Sequence, residues 1–268
     1  KSSYKIDKKK FNLSVFGTNS MAHPGVALIK KKKNSFIGGK VYMLKKYIPK
    51  NKYYISPKNL RASIKKNKTK SSSAFTTRNI CHTGHFFIHQ YILRKVKTLF
   101  IILIQSSTNK YNPQTVYETY EIIKNKFNLT NKIKIISIYM PYFFAGPKEA
   151  FLQATIVKNL GINAMVIGRD HAGVKNFYPK YGSQKIFQKF KNFSLKIFKT
   201  KEPKICKNCS KVKFDDSKKK CNNCLKNTKF LGIEGKFVKK KLIEKNYKDV
   251  KGFLDPSIIA YFKKKKIT

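Results

Sequence analysis

"GPKEAFLQATIVKNLGINAMVIGRDHAG" (Gly146–Gly173) reads as a helix, a buried strand and a polar loop in direct succession. Proline suits a first helical position, where its missing N–H has no intrahelical partner and its fixed φ already fits. The stretch therefore predicts a helix that starts at Pro147 and stops at Gly161. "NAMVIG" (Asn163–Gly168) then has the length and apolarity of one buried strand, which releases "GRDH" at its carboxyl end. Arginine and histidine are scarce in this chain. Of its 60 Lys and Arg residues only Arg61, Arg78, Arg94 and Arg169 are arginines, and it has five histidines. A loop that sets Arg169, Asp170 and His171 side by side is a better lead than another lysine.

The same rhythm continues upstream. "SSSAF" (Ser71–Phe75) opens a strand, "TTRNICHTGH" (Thr76–His85) follows it, and "FFIHQYIL" (Phe86–Leu93) reads as a buried helix. "TLFIILI" (Thr98–Ile104) and "IKIISIY" (Ile133–Tyr139) read as strands. "PQTVYETYEIIKNKF" (Pro113–Phe127) between them places Val116, Tyr120, Ile123 and Phe127 at helical spacing. Strands alternating with helices predict an α/β fold with a parallel sheet. Ligands in such sheets collect at the carboxyl ends of the strands, and both histidine-containing clusters fall there.

"HTGH" puts His82 and His85 three residues apart at the expected start of a helix, with Gly84 allowing a ligand close. Helix-start N–H groups, the helix dipole and two imidazoles make a receptor for phosphate oxygens. A metal pair and a merely packed pair remain alternatives. Arg78 and Asn79 add a guanidinium fork and an amide donor, both suited to oxyanions. Gly168, Arg169, Asp170 and His171 offer a backbone that can approach a nucleotide, a second guanidinium, an acceptor and an imidazole; an ordinary salt-bridged turn is the bland alternative.

With 268 residues and 41% hydrophobic composition the chain can bury a proper core. Its formal net charge of +48 comes from lysine spread end to end, together with abundant Asn, Ile, Phe and Tyr and no Trp. A genome biased towards A/T-rich codons accounts for that profile, so specific nucleic-acid binding is not expected, although nonspecific polyanion adhesion at low salt is. The chain begins with Lys1, which points to a fragment or processed form, and no apolar run reaches membrane-spanning length. The expectation is a cytoplasmic protein. "FIGGKVYML" (Phe36–Leu44) predicts a short strand at Val41, Tyr42 and Met43 after a glycine turn. "CKNC" and "CNNC" (Cys206, Cys209, Cys221, Cys224) suit four thiolates around a structural Zn²⁺, with a small hairpin between the two knuckles.

These motifs, taken together, resemble the ATP sulfurylase (sulfate adenylyltransferase) family. "GRDHAGV" followed by a Tyr-rich tract and Gln184 looks like the family's nucleotide-binding loop; "FAGPKEAF…NAMVIGRDHAG" tracks the helix and strand before it. "TTRNICHTGH" resembles Q-T-R-N-P-x-H-x-x-H, "HPGV" (His23–Val26) an N-terminal motif, and the cysteine knuckles the zinc-bearing subset. The similarity runs from about residue 21 to 230 in family order.

The resemblance implies a parallel nucleotide-binding sheet of the HxGH nucleotidylyl transferase type. It implies a shortened β-rich, PUA-like domain over 1–70, a catalytic domain over 71–200, a zinc ribbon over 201–230 and a helical segment over 231–268. By resemblance Arg78 and the backbone near Ala172 hold sulfate, and Thr77, Arg78 and Asn79 line the α-phosphate, with Thr76 beside them. His82 and His85 stabilise departing pyrophosphate, and Gly168, Arg169, Asp170 and His171 hold adenosine, Arg169 lending charge near the reacting centre. The implied reaction joins Mg²⁺·ATP and sulfate into adenosine 5′-phosphosulfate and pyrophosphate, or runs back towards ATP, in a homo-oligomer, plausibly a dimer. The chain departs from the family pattern at Thr76 (Gln), Ile80 (Pro) and Thr83 (Arg), and in "IEGKFVKKK" (Ile233–Lys241) near its end. Competing readings are another nucleotidylyl transferase or synthetase-like enzyme, a catalytically decayed relative, and a basic zinc-ribbon nucleic-acid binder.

Overall fold

A computed structural model describes residues 2–42, 51–67, 69, 71–106, 111–214, 220–221, 223–225 and 227–265. The N-terminal region pairs β1 (Ser2–Lys5) antiparallel with β2 (Ser35–Gly38) around α1 (Lys8–Phe16) and α2 (Pro24–Lys31). Its described residues thus hold more helix than strand, contrary to the β-rich expectation. The reason is capping: Asp7 accepts the N–H groups of Lys9 and Lys10, and Gly17 closes α1 at φ 72°. The expected strand at Val41 and Tyr42 is absent, because the paired strand precedes the glycines instead; Met43 lies outside the described residues. His23 caps α2 through its own side chain and is fully buried. Its Nε2 lies 3.1 Å from both the Phe144 carbonyl and the Tyr178 hydroxyl.

After α3 (Pro57–Lys66) comes the central unit: β3 (Ser72–Thr77), α4 (Thr83–Leu93), β4 (Thr98–Gln105), α5 (Pro113–Lys126), β5 (Ile133–Tyr139), α6 (Pro147–Asn159), β6 (Ala164–Ile167), α7 (Gly182–Lys185) and β7 (Lys196–Lys199). The five strands form one parallel sheet in the order β5-β4-β3-β6-β7. β4 shows why the sheet is covered on both faces. Leu99, Ile101 and Leu103 enter one core with Ile88, Ile92, Val116 and Tyr120, while Phe100 and Ile102 enter another with Leu60, Ala154, Val157 and Met165. Alternation of period 2 within a wholly apolar strand is what a parallel strand between two helical layers requires. Each such side chain contributes about 1.5–3 kcal/mol by burial. Phe127, expected on the buried face of α5, is instead its C-cap, packed on Phe86.

The chain winds outward from β3 to β4 and β5, and α6 then returns it to the other side of β3. β3 and β6 pair only at Ser73 with Ala164 and Ala74 with Met165, so beyond these positions the two strands leave a crevice. That reversal of winding direction is where open α/β sheets bind ligands.

β8 (Pro203–Cys206), β9 (Val212–Phe214) and β10 (Phe230–Gly232) form a small antiparallel sheet in the order β10-β8-β9. The hairpin of β8 and β9 turns around the first cysteine knuckle, where the chain reverses at Lys207–Ser210; the hairpin expected between the knuckles falls partly on residues 215–219, which lie outside the described residues. α8 (Gly235–Ile243) and α9 (Pro256–Lys264) bury Val238, Leu242, Ile258 and Phe262 on the α4–α5 side of the large sheet. Thr83 joins them to α4: its hydroxyl donates to the Gly252 carbonyl at 2.9 Å and its N–H to that of Phe253 at 3.0 Å.

Candidate active site

β3 ends at Thr77, whose Oγ1 accepts the Asn79 N–H at 3.1 Å and turns the chain out of the sheet. Arg78 lies in this turn with its guanidinium carbon 3.4 Å from the centroid of the Tyr142 ring, a cation–π contact that fixes its plane. The chain re-enters the core at Ile80 and Cys81, and His82 then caps α4 by accepting the His85 N–H on Nδ1 at 3.2 Å. That bond leaves the proton of a neutral His82 on Nε2. The His82 and His85 rings overlap at 3.7 Å, and His85 Nδ1 lies 2.9 Å from the Tyr120 hydroxyl. Burial pulls the His82 pKa down to about 4; His85 is lowered well below its usual value by burial and then by its neighbours His82 and His89. Both rings are therefore neutral at pH 7.

The opposite wall is the loop after β6. Side chains hold it: Gln184 Nε2 donates to the Ile167 carbonyl at 2.9 Å and to that of Thr200 at 2.8 Å, bracing the ends of β6 and β7. Ser183 Oγ donates to the His171 carbonyl at 2.7 Å, and the Tyr181 N–H to that of Arg169 at 2.8 Å. Arg169 Nε stands 3.5 Å from Glu202 Oε1. Partial burial raises the Asp170 carboxyl, with Arg169 opposing and Glu202 reinforcing the shift. His171 is brought down to about 4 by desolvation. Ala172 adopts φ 57°, and a Cβ on Gly173 would stand 1.9 Å from Asp170 Oδ1. A side chain there would need the Asp170 carboxylate to turn away.

Both walls face one cleft of about 360 Å³. Its lining brings together Thr76, Thr77, Arg78, Asn79, His82 and His85 from the β3 side with Gly168, Arg169, Asp170, His171 and Ala172 from the β6 side. The volume suits a small ligand, and two guanidiniums beside the N-terminus of α4 suit an anionic one. Gly84 does not serve a ligand as expected. Its Cα faces protein, since a Cβ there would lie 2.9 Å from Ile233 Cδ1 and 3.1 Å from Pro203 Cγ.

Sequence reasoning missed Tyr142, Gln153, Thr200 and Glu202, which also line the cleft. Gln153 carried a signal, standing four residues after Glu149 on a helix whose other buried residues are apolar. The remaining three carried none.

Cys206, Cys209, Cys221 and Cys224 place their sulfurs within 4.8 Å of one another, and no disulfide joins them. Cys206 and Cys224 lie 3.9 Å apart, Cys209 and Cys221 3.7 Å. Four thiolates about 2.3 Å from a tetrahedral ion stand roughly 3.8 Å apart, so the donor set and these two spacings fit a metal ion. Among the described residues no helix is long and apolar enough to cross a membrane.

Comparisons with known proteins bear on the family and the fold. A family model described as ATP-sulfurylase matches residues 51–264, and one described as a PUA-like domain matches residues 1–46. The chain is 30% identical over 212 residues to a sulfate adenylyltransferase of Hyperthermus butylicus, covering 78% of this chain and 54% of that protein. It is 31% identical over 209 residues to the sulfate adenylyltransferase of Pyrococcus abyssi (77% and 55%), and 31% over 215 residues to that of Chloroflexus aurantiacus (78% and 56%). The chain thus spans about half the length of the curated relatives it matches. A hexameric APS kinase structure from Thiobacillus denitrificans shares the fold at TM-score 0.62 and 12% identity, over 83% of this chain and 42% of that one. On the ATP-sulfurylase match across most of its length, this chain belongs to the ATP-sulfurylase family.

Proposed function

We propose that the cleft is the active site of a sulfate adenylyltransferase, which joins ATP and sulfate into adenosine 5′-phosphosulfate and pyrophosphate. The observation that carries the proposal is convergence. Two segments about 90 residues apart meet at the winding reversal of the sheet and bring Arg78, His82, His85 and Arg169 to one cleft.

In this role Gly168, Arg169, Asp170 and His171 hold adenosine, and Thr76, Thr77, Arg78 and Asn79 line the α-phosphate. Arg78 and the Ala172 backbone receive sulfate. A sulfate oxygen attacks the α-phosphorus in line; the bond to the bridging oxygen breaks and pyrophosphate leaves. No covalent enzyme intermediate is needed, so catalysis consists of positioning and charge neutralisation. Arg78 and Arg169 offset the charge that gathers around phosphorus. Neutral His82 donates from Nε2 to the leaving pyrophosphate beside the α4 N-terminus, and His85 lies next to it. Asp170 and Glu202 are the carboxylates on the lining that would hold a Mg²⁺ arriving with ATP, and the ion would supply charge neutralisation at the phosphates.

The four thiolates hold a structural Zn²⁺. A complete Cys₄ shell leaves no open position, so the ion keeps the β8–β9–β10 unit in shape against α4 and does no chemistry. Metal analysis should find one zinc per chain, and chelation should lower the melting temperature. A reducing, cytoplasmic setting goes with thiolates held by metal. A homo-oligomer, most simply a dimer, belongs to the same proposal and is checked by light scattering.

The test supplies adenosine 5′-phosphosulfate, pyrophosphate and Mg²⁺ at moderate salt and reads ATP by luminescence. ATP from the wild type but not from Arg169→Ala supports the enzyme. Folded, zinc-loaded protein that makes none points to a decayed relative.

A further inference from the structure

Gln153 lies on the buried face of α6, the helix that carries the chain back across the sheet between the two walls. It is 3% exposed, yet its side chain touches both walls. Oε1 accepts the Thr76 hydroxyl of β3 at 2.8 Å and lies 2.8 Å from His171 Nε2 in the loop after β6. On its other side, Gln153 Nε2 donates to Glu149 Oε1 at 3.4 Å, while Glu149 Oε2 accepts the Ala145 N–H at 3.2 Å. Glu149 accepts at both oxygens, and this orients the amide, with its NH₂ towards Glu149 and its carbonyl towards the cleft. A carbonyl can only accept. A neutral His171 must therefore carry its proton on Nε2, which leaves Nδ1 with a lone pair.

We propose that Gln153 is a positioning residue for nucleotide binding: it locks His171 as the Nε2–H tautomer, with Nδ1 free to accept from a hydrogen-bond donor on the nucleoside, and ties the two walls together. The role rests on the nucleotide-binding reading of the cleft. β3 and β6 share ladder positions only before the crevice opens, so the Thr76–Gln153–His171 junction spans the walls where the sheet does not. It also gives Thr76 a use. The hydroxyl that stands where the family pattern has glutamine is committed to a glutamine supplied by α6. Lowering of the His171 pKa by desolvation is consistent with a ring that works in its neutral form.

The test records the imidazole ¹⁵N resonances of unliganded protein and, separately, ATP affinity by calorimetry. Wild-type His171 should show the Nε2–H pattern. Gln153→Met keeps length but removes the acceptor and frees the Thr76 hydroxyl, 3.3 Å from His171 Nε2, to donate to it, so His171 should shift towards a mixture with Nδ1–H, and ATP affinity should fall by about tenfold, the value of one hydrogen bond. The double exchange E149Q/Q153E preserves every donor and acceptor in the junction. With a carboxylate now facing His171, Nε2 should stay protonated, which keeps the test readable if Gln153→Met fails to fold; a thermal melt of each variant accompanies the spectra. An unchanged His171 tautomer or unchanged ATP affinity in Gln153→Met, or a lost Nε2–H pattern in the double exchange, overturns the proposal. Wild-type protein that shows the lock but binds no ATP overturns the nucleotide reading itself, and with it this role.

Discussion

On the β3 wall, Ile80, Cys81 and His82 are buried, and the polar groups of the site emerge from a packed core. On the β6 wall, Arg169 and His171 are partly exposed, Asp170 is exposed, and Ser183, Gln184 and the Tyr181 backbone hold the loop in place. Desolvation acts on His82, His85 and His171 alike, but the β6 loop is held by a hydrogen-bond scaffold and the β3 wall by a packed core. Damage to the β3 wall should therefore appear mainly as lost stability, and damage to the β6 wall mainly as lost chemistry.

The largest effect is expected on acidification, and both walls share it, because His171 is brought down to about 4 just as His82 is. His82 has a folded pKa of about 4, below the ordinary value of 6.5 that it regains on unfolding. Below pH 6.5 the unfolded chain takes up a proton that the folded chain refuses. The stability contributed by neutral burial is thus complete above pH 6.5 and lost as pH falls towards 4, a loss of roughly 3 kcal/mol from this residue alone. Denaturant melts of wild type and His82→Gln between pH 7 and 4 should show a shallower decline in the variant.

Gly173→Ala breaks the other wall. The new Cβ collides with Asp170 Oδ1, so the Asp170 carboxylate must turn away from its place on the cleft. A misplacement near 1 Å costs on the order of 100-fold in rate. Stability should change by no more than about 1 kcal/mol, since the loop is surface structure. Steady-state rates and a thermal melt on one preparation check both halves.

Gln184→Leu removes the donor shared by the Ile167 and Thr200 carbonyls and should cost about 1–3 kcal/mol. It blurs the contrast on purpose, because Gln184, like Ser183 beside it, is a buried anchor of the β6 wall. Tyr142→Leu should have the smallest effect. It releases the plane of Arg78, worth about 0.5–2 kcal/mol, and should weaken ATP binding by no more than about 30-fold without changing the melting temperature.

What could be read from the sequence follows the same division. Apolar runs placed β4, β5 and β6, as strands covered on both faces favour, whereas β3 is equally buried but carries Ser72, Ser73, Thr76 and Thr77. Pro147 and Gly161 bounded α6, and the glycine takes the φ of 84° that ends the helix. Through-space partners were illegible. Tyr142 reaches Arg78 from a segment 64 residues away, and nothing in "MPYFF" announces it. Gly84 was read for a ligand because its closeness to Pro203 and Ile233 exists only once the cysteine-bearing unit has docked. In the N-terminal region the helix signals were present but passed over: Asp7 ahead of "KKKFNLSVF" and Gly17 behind it are a matched pair of caps. Lysines on the exposed face masked the periodicity between them.

The central claim is that the two walls form one nucleotide site, and equilibrium binding of ATP tests it most directly. Calorimetric titration at moderate salt should show one site per chain in the wild type, weakened at least tenfold by Arg78→Ala on one wall and by Arg169→Ala on the other, with both variants folded. ATP that binds both variants as tightly as the wild type would contradict the account and place the nucleotide elsewhere on this lysine-rich surface.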